Sequence, residues 1–149
     1  MINAVTLKVE KSWPIAPGEE ASGLAIDRVN HRLFSVCSNK LMVVSDVKTG
    51  KIVAVVPIGA GCDGVAFDPG SKRIFASNGE GNMTVIQQLS ADKYRVLEKF
   101  ITQPGARTIT VDPVTHHIYL SVGEYMPGTE RRRAVKPNSF KVIDIEPIK

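Results

Sequence analysis

Three aspartates, Asp27, Asp68 and Asp112, invite a first reading as catalytic or cation-binding carboxylates. Carboxylates that converge can trade protons or hold a metal ion. These three instead share one local context. Each closes a short apolar run, two are followed by proline (Pro69, Pro113), and an aromatic stands seven residues on, at Phe34, Phe75 and Tyr119. An aspartate leaving a strand accepts hydrogen bonds from the amides of the turn, while proline presets the next φ. The expectation is three structural turn residues.

His31, His116 and His117 fall in or just after that same turn. Adjacent residues of a strand point to opposite faces, so His116 and His117 do not hold one ion together. No other group arrives at metal-ligand spacing, and the sequence calls for no metal and no cofactor. Cys37 and Cys62 lie at the opposite end of the expected strands. A thiol nucleophile needs a base, and no histidine reaches that end. Two free thiols are expected there, with a disulfide as the alternative in an oxidising compartment.

The elements that carry these residues are written out three times. GLAIDRVNHRLFSV begins at Gly23, GVAFDPGSKRIFAS at Gly64 and RTITVDPVTHHIYLSV at Arg107, and the aspartates are spaced 41 and 44 residues apart. Short strands with turn residues at that period predict an all-β chain of β-propeller blades, each a four-stranded antiparallel meander. In the first full unit the strands are expected over 23–27, 32–38, 41–47 and 51–58. The second unit places them at 64–68, 73–78, 83–88 and 94–101, and the third at 108–112, 117–122 and 140–145. Lys48-Thr49-Gly50 and Asn78-Gly79-Glu80-Gly81 are hairpin turns, with glycine supplying positive φ.

The organisation that follows is a partial propeller over 1–149. Residues 1–17 form the outer strand of one blade, 18–60 and 61–103 are full blades, and 104–149 is a last blade without its fourth strand. A loop insertion occupies 123–138. Trp13-Pro14-Ile15 matches Val56-Pro57-Ile58, the close of a fourth strand, and Trp13 is expected to pack there rather than anchor a ligand. Three blades are too few to close a ring of four to eight. The chain is therefore expected to need either the remainder of a longer propeller or a second copy, giving a six-bladed ring of two half-rings.

The frames GLAID…RLFSV, GVAFDP…RIFASN and TITVDP…HIYLSV resemble the YVTN-type propeller repeat of YncE-like bacterial proteins, over essentially the whole chain. That resemblance implies a seven-bladed parent whose last blade is closed by the amino-terminal strand. It also implies export to the periplasm or cell surface, and a role in binding; related propellers serve as lactonases, haem-bearing reductases and amine dehydrogenase subunits. It supplies no catalytic motif. The opening MINAVTLKVEKSW lacks the basic start and apolar stretch of a secretion signal, so the compartment stays open.

The binding candidates lie where the loops enter the innermost strands. Glu20, Asp63 and Arg107 each precede a first strand and are expected to line the mouth of the channel, with Asn78 and Glu124 contributed by the loops after second strands. A mixed acidic and basic rim suits a small polar ligand or a protein loop. Composition agrees with a globular domain: 149 residues, 43% hydrophobic and 23% charged, with a formal net charge of +4. The apolar run 52–58 is far too short to span a bilayer. The sequence is read as a non-enzymatic binding or scaffolding module. A lactonase-like hydrolase or cofactor-carrying oxidoreductase subunit is the alternative. A DNA-associated propeller is a further one, resting on the Arg131, Arg132, Arg133 cluster and the positive balance.

Overall fold

The computed structural model describes residues 1–126 and 134–147. Arg131, Arg132 and Arg133 lie outside the described residues. Eleven strands and no helix are found among the described residues, in three antiparallel sheets. The first sheet runs β1 (Ala21–Asp27), β2 (Arg32–Cys37), β3 (Leu41–Asp46) and β4 (Ile52–Pro57), in that spatial order. The second repeats it with β5 (Cys62–Asp68), β6 (Arg73–Asn78), β7 (Asn82–Ser90) and β8 (Lys93–Ile101). The third holds β9 (Thr108–Val111), β10 (Ile118–Val122) and β11 (Lys141–Ile145), with β10 central. These are the expected meanders, and among the described residues the third has no fourth strand.

The sheets stack face to face as blades, with their first strands side by side: β1 adjoins β5, and β5 adjoins β9. Alternation along each strand decides which face meets which neighbour. Phe34, Val36, Met42 and Val44 of the first blade pack with Val65, Ile74, Ala76 and Ile86 of the second. The residues between them in sequence, Phe75, Met83 and Val85, turn the other way and meet Ile109, Ile118 and Ile145 of the third. Large apolar side chains buried in this way contribute roughly 1.5–3 kcal/mol each. One period-2 pattern therefore builds both interfaces.

Close approach of the first strands depends on two glycines. A Cβ on Gly23 would lie 2.8 Å from the Asp63 carbonyl, and one on Gly64 would lie 2.7 Å from the Arg107 carbonyl. The third copy has Thr108 at this position, exposed at the far face.

The aspartates behave as turn residues and do more. Asp27 accepts bonds from the Val29 and Asn30 amides and from Asn30 Nδ2, Asp68 from the Gly70 and Ser71 amides, and Asp112 from the Val114 amide and Thr115 Oγ1. One of them, Asp27, also latches blades together, and a second, Asp68, lies close to the next blade. Gln88 Nε2 of the second blade donates to Asp27 at 2.8 Å; His116 Nδ1 of the third stands 2.9 Å from Asp68 Oδ2 but makes no hydrogen bond to it. Arg32 adds a further tie, reaching Asp46 in its own blade and Asp92 in the next.

Two segments differ from expectation. Residues 7–15 form no strand; the stretch makes a single bridge, Ile2 to Val9, and folds back on itself with Leu7 at φ 56. A strand needs a neighbour, and among the described residues only 1–3 lie along this stretch. Trp13 nonetheless packs against Gly50, and Gly18 against Cys37 and Val43. That places 13–18 along the outward face of the first blade. The insertion is also less irregular than its composition implied, because Tyr125 bridges Val135 and the Met126 and Lys136 amides bond across the stem.

Candidate functional site: the channel mouth

The loops entering β1, β5 and β9 and those leaving β2, β6 and β10 share one end of the blades. Backbone bonds knit this end together: the Gly79 amide donates to the Gly61 carbonyl and the Gly105 amide to the Gly79 carbonyl, both at 2.9 Å. Two serines reach between blades. Ser22 Oγ donates to the Cys62 carbonyl at 2.8 Å and Ser77 Oγ to the Arg107 carbonyl at 2.7 Å. Ser77 was missed in the sequence. Its signal was a polar residue at the inward position that valine (Val36) fills in the first copy.

Asp63 and Arg107 are brought together from neighbouring blades, with Arg107 NH1 3.0 Å from Asp63 Oδ2. Their side chains are 43% and 54% exposed, so the pair is screened and contributes at most about 1 kcal/mol. A ligand can therefore replace either partner at small cost. Glu20, exposed and at φ 47, stands two residues earlier, at the place of Gly61 and Gly105, and the first blade has Ser22 at the position of Asp63 and Arg107.

Asn78 and Glu124 stand elsewhere. Asn78 is wholly buried beneath Gly59, and its Nδ2 donates to Asn82 Oδ1 and Thr84 Oγ1 while its Oδ1 has no partner. Above it Glu80 accepts a bond from Asn82 Nδ2 and one from the Ala60 amide, which hold its carboxyl below the usual range. Glu124 is exposed on the insertion stem, held low by the Lys136 ammonium at 3.0 Å. The stem touches the rim through Tyr125, which packs on Gly105.

Cys37 and Cys62 are free and buried at this end. Burial pushes the Cys62 thiol up to about 12 and raises Cys37 as well. Neither is a thiolate at neutral pH, so neither is an activated nucleophile. Among the described residues no three His, Cys, Asp or Glu side chains gather as a metal-binding group. The histidines all lie at the opposite end with the turn aspartates.

No family model matches the chain, and no curated protein matches it. Solved structures do. Hydrazine synthase of Kuenenia stuttgartiensis aligns over 92% of this chain and 36% of its own, with TM-score 0.66 and 14% identity. A chain of the mitotic checkpoint complex aligns over 66% of this chain and 33% of its own (TM-score 0.57, 16% identity). The dihydro-heme d1 dehydrogenase NirN, in complex with DHE, aligns over 85% and 28% (TM-score 0.57, 14% identity). The chain is built of β-propeller blades. It spans about a third of the length of the solved chains it resembles. At these identities the likeness carries the architecture and no activity.

Proposed function

We propose that these blades form a binding module of the YVTN type, non-enzymatic, which receives its partner at the channel mouth. The three frames around Asp27, Asp68 and Asp112 support the family reading. The observation that carries the binding reading is the Asp63–Arg107 pair, an exposed acid and base from adjacent blades set side by side at the ends of two first strands. The rigid backbone beneath, tied through Gly61, Gly79 and Gly105, holds both groups in place before a ligand arrives, which limits the ordering cost of binding. Arg107 offers a planar fork suited to a carboxylate. Asp63 and Glu20 offer acceptors for an ammonium or guanidinium. The partner that fits is a small polar molecule or protein loop carrying a carboxylate beside a basic group.

The test is a titration with an Arg-Glu dipeptide and a Glu-rich peptide, followed by backbone amide shifts. Binding at the mouth moves the amides at 19–22, 61–64 and 104–107, and Arg107→Ala abolishes the response to both probes while leaving the remaining spectrum in place. Shifts confined to the histidine end, or a response unchanged in Arg107→Ala, would refute the assignment.

A further inference from the structure

Among the described residues nothing pairs with the outer edge of β11, which lies next to a groove of about 370 Å³ that is apolar at Phe75, Met83, Val85, Phe100 and Ile145 and charged at Asp68, Arg73 and Glu98. In the first two blades a fourth strand closes this position, with Met42 opposite Val56 and Met83 opposite Phe100. An edge of unpaired backbone flanked by apolar side chains is a template for one more strand. The amino-terminal segment carries the complementary pattern. Val5, Leu7 and Val9 alternate with Thr6, Lys8 and Glu10 and are 92%, 79% and 70% exposed, an apolar row with nothing against it.

The register can be written down. Tyr119 pairs with Asp144 as Phe34 does with Val44 and Phe75 with Val85, so Val142 takes the place of Met42 and Met83. Trp13-Pro14-Ile15 takes the place of Val56-Pro57-Ile58. Trp13 then lies opposite Val142, and Lys11 opposite Asp144. Both complete blades skip one residue of the outer strand at the next step, after Val44 and after Val85. The same bulge skips Glu10, sets Val9 opposite Ile145 over the groove, and sets Lys8 opposite Glu146. Both charged pairs are of opposite sign, and the apolar pair faces the apolar part of the groove, at Phe75, Met83 and Phe100.

We propose that the occupant is residues 8–15 of a second copy of this chain, exchanged reciprocally so that two half-rings close into six blades. In this structure Trp13 already packs on Gly50, on the outward face of its own first blade. A third blade seated on that face has the outer strand of its neighbour delivered in register. Trp13 turns to the same side as Val142 and Asp144, toward that first blade, so both contacts form at once. The relation is two-fold, each copy giving and receiving one strand, and the assembly closes. Only the fold-back around Leu7 has to open.

The mating faces set the strength. Thr110, Tyr119, Ser121, Val142 and Asp144 stand in the third blade where apolar residues dominate the internal interfaces, and they meet Leu24, Ile26 and Leu33 of the first. This junction is more polar than either internal one, so it dissociates on dilution.

Sedimentation of the whole chain across concentrations up to about 100 µM tests the exchange. Wild type is expected to move from the 16.2 kDa monomer to a particle of twice that mass. Lys11→Asp and Asp144→Lys each place like charges at both junctions and should weaken dimerisation at least about tenfold. Mixed in equal amounts, the two variants restore an opposite-charge pair at both junctions and should dimerise again, an outcome that misfolding of either variant cannot produce. A wild-type monomer at every concentration, a particle larger than the dimer, or a mixture no better than its components overturns the proposal. None of these readings depends on what the channel mouth binds.

Discussion

Asp27, Asp68 and Asp112 occupy one sequence position, yet they hold different things. All three tie their own turn. Asp27 also takes Gln88 from the next blade, while Asp112 has no following blade to hold among the described residues. Removing Asp27 leaves buried donors without an acceptor, which costs roughly 1–3 kcal/mol beyond the turn itself. Asp27→Ala is therefore expected to cost about 2–4 kcal/mol in urea unfolding, and Asp112→Ala clearly less. Equal losses would show that the Gln88 latch contributes nothing. The turn role was readable from the apolar run, the aspartate and the proline. The latch was not, because Gln88 sits 61 residues away and only the stacking of blades brings it near.

At the scale of the strand, period and punctuation made nearly every element legible. Alternation marked Arg32–Cys37 and Arg73–Asn78, and glycine marked the hairpins after Val47 and Asn78. Sequence failed where a strand depends on a neighbour: 7–15 has the alternation of an outer strand, yet within one chain it joins no blade and bonds only back to residues 1–3. It failed again at the insertion stem, where pairing from Tyr125 to Val135 is carried by backbone bonds that composition does not show. Glycine in mid-strand is ordinarily a weakness. Gly64 is there because the next blade passes within van der Waals reach, with both the Arg107 carbonyl and Ser77 Oγ under 3 Å from a Cβ placed on it. Gly64→Ala should push β5 and β9 apart and destabilise by about 1–3 kcal/mol, whereas Thr108→Ala, at the same repeat position on an open face, should stay within about 0.5 kcal/mol. Thermal unfolding of the two variants side by side decides it, and a harmless Gly64→Ala would mean that the blades are not in contact there.

Taken as a whole molecule, the blades are held at one end by the mouth's backbone network and at the other by carboxylates. That division makes the assembly acid-sensitive in a defined window. For Asp27, burial alone would raise the carboxyl, but the bonds from Asn30, Gln88 and the turn amides outweigh it and the net displacement is downward. Asp46 is brought down to about 2 by the Thr49 amide and hydroxyl, with smaller help from Lys48 and Arg32. Asp112, Glu80 and Glu124 are lowered as well, by bonds to Val114, Asn82 and Lys136 respectively. A carboxyl held low in the folded chain releases its proton more readily there than when unfolded, so its contribution is complete above the ordinary carboxylate range and disappears as pH falls through the folded value. The unfolding midpoint should therefore drop steadily from about pH 4.5 to about pH 2, with the 19 Lys and Arg side chains left without their counter-charges. Because Asp46 anchors Arg32, which in turn reaches Asp92 in the next blade, the last part of that loss should separate the first blade from the second. Hydrogen exchange followed from pH 4.5 down to pH 2 would register it as protection at β1–β4 lost near the lower end of that range, and a midpoint unchanged between pH 6 and pH 2 would show that these carboxylates do not hold the blades together.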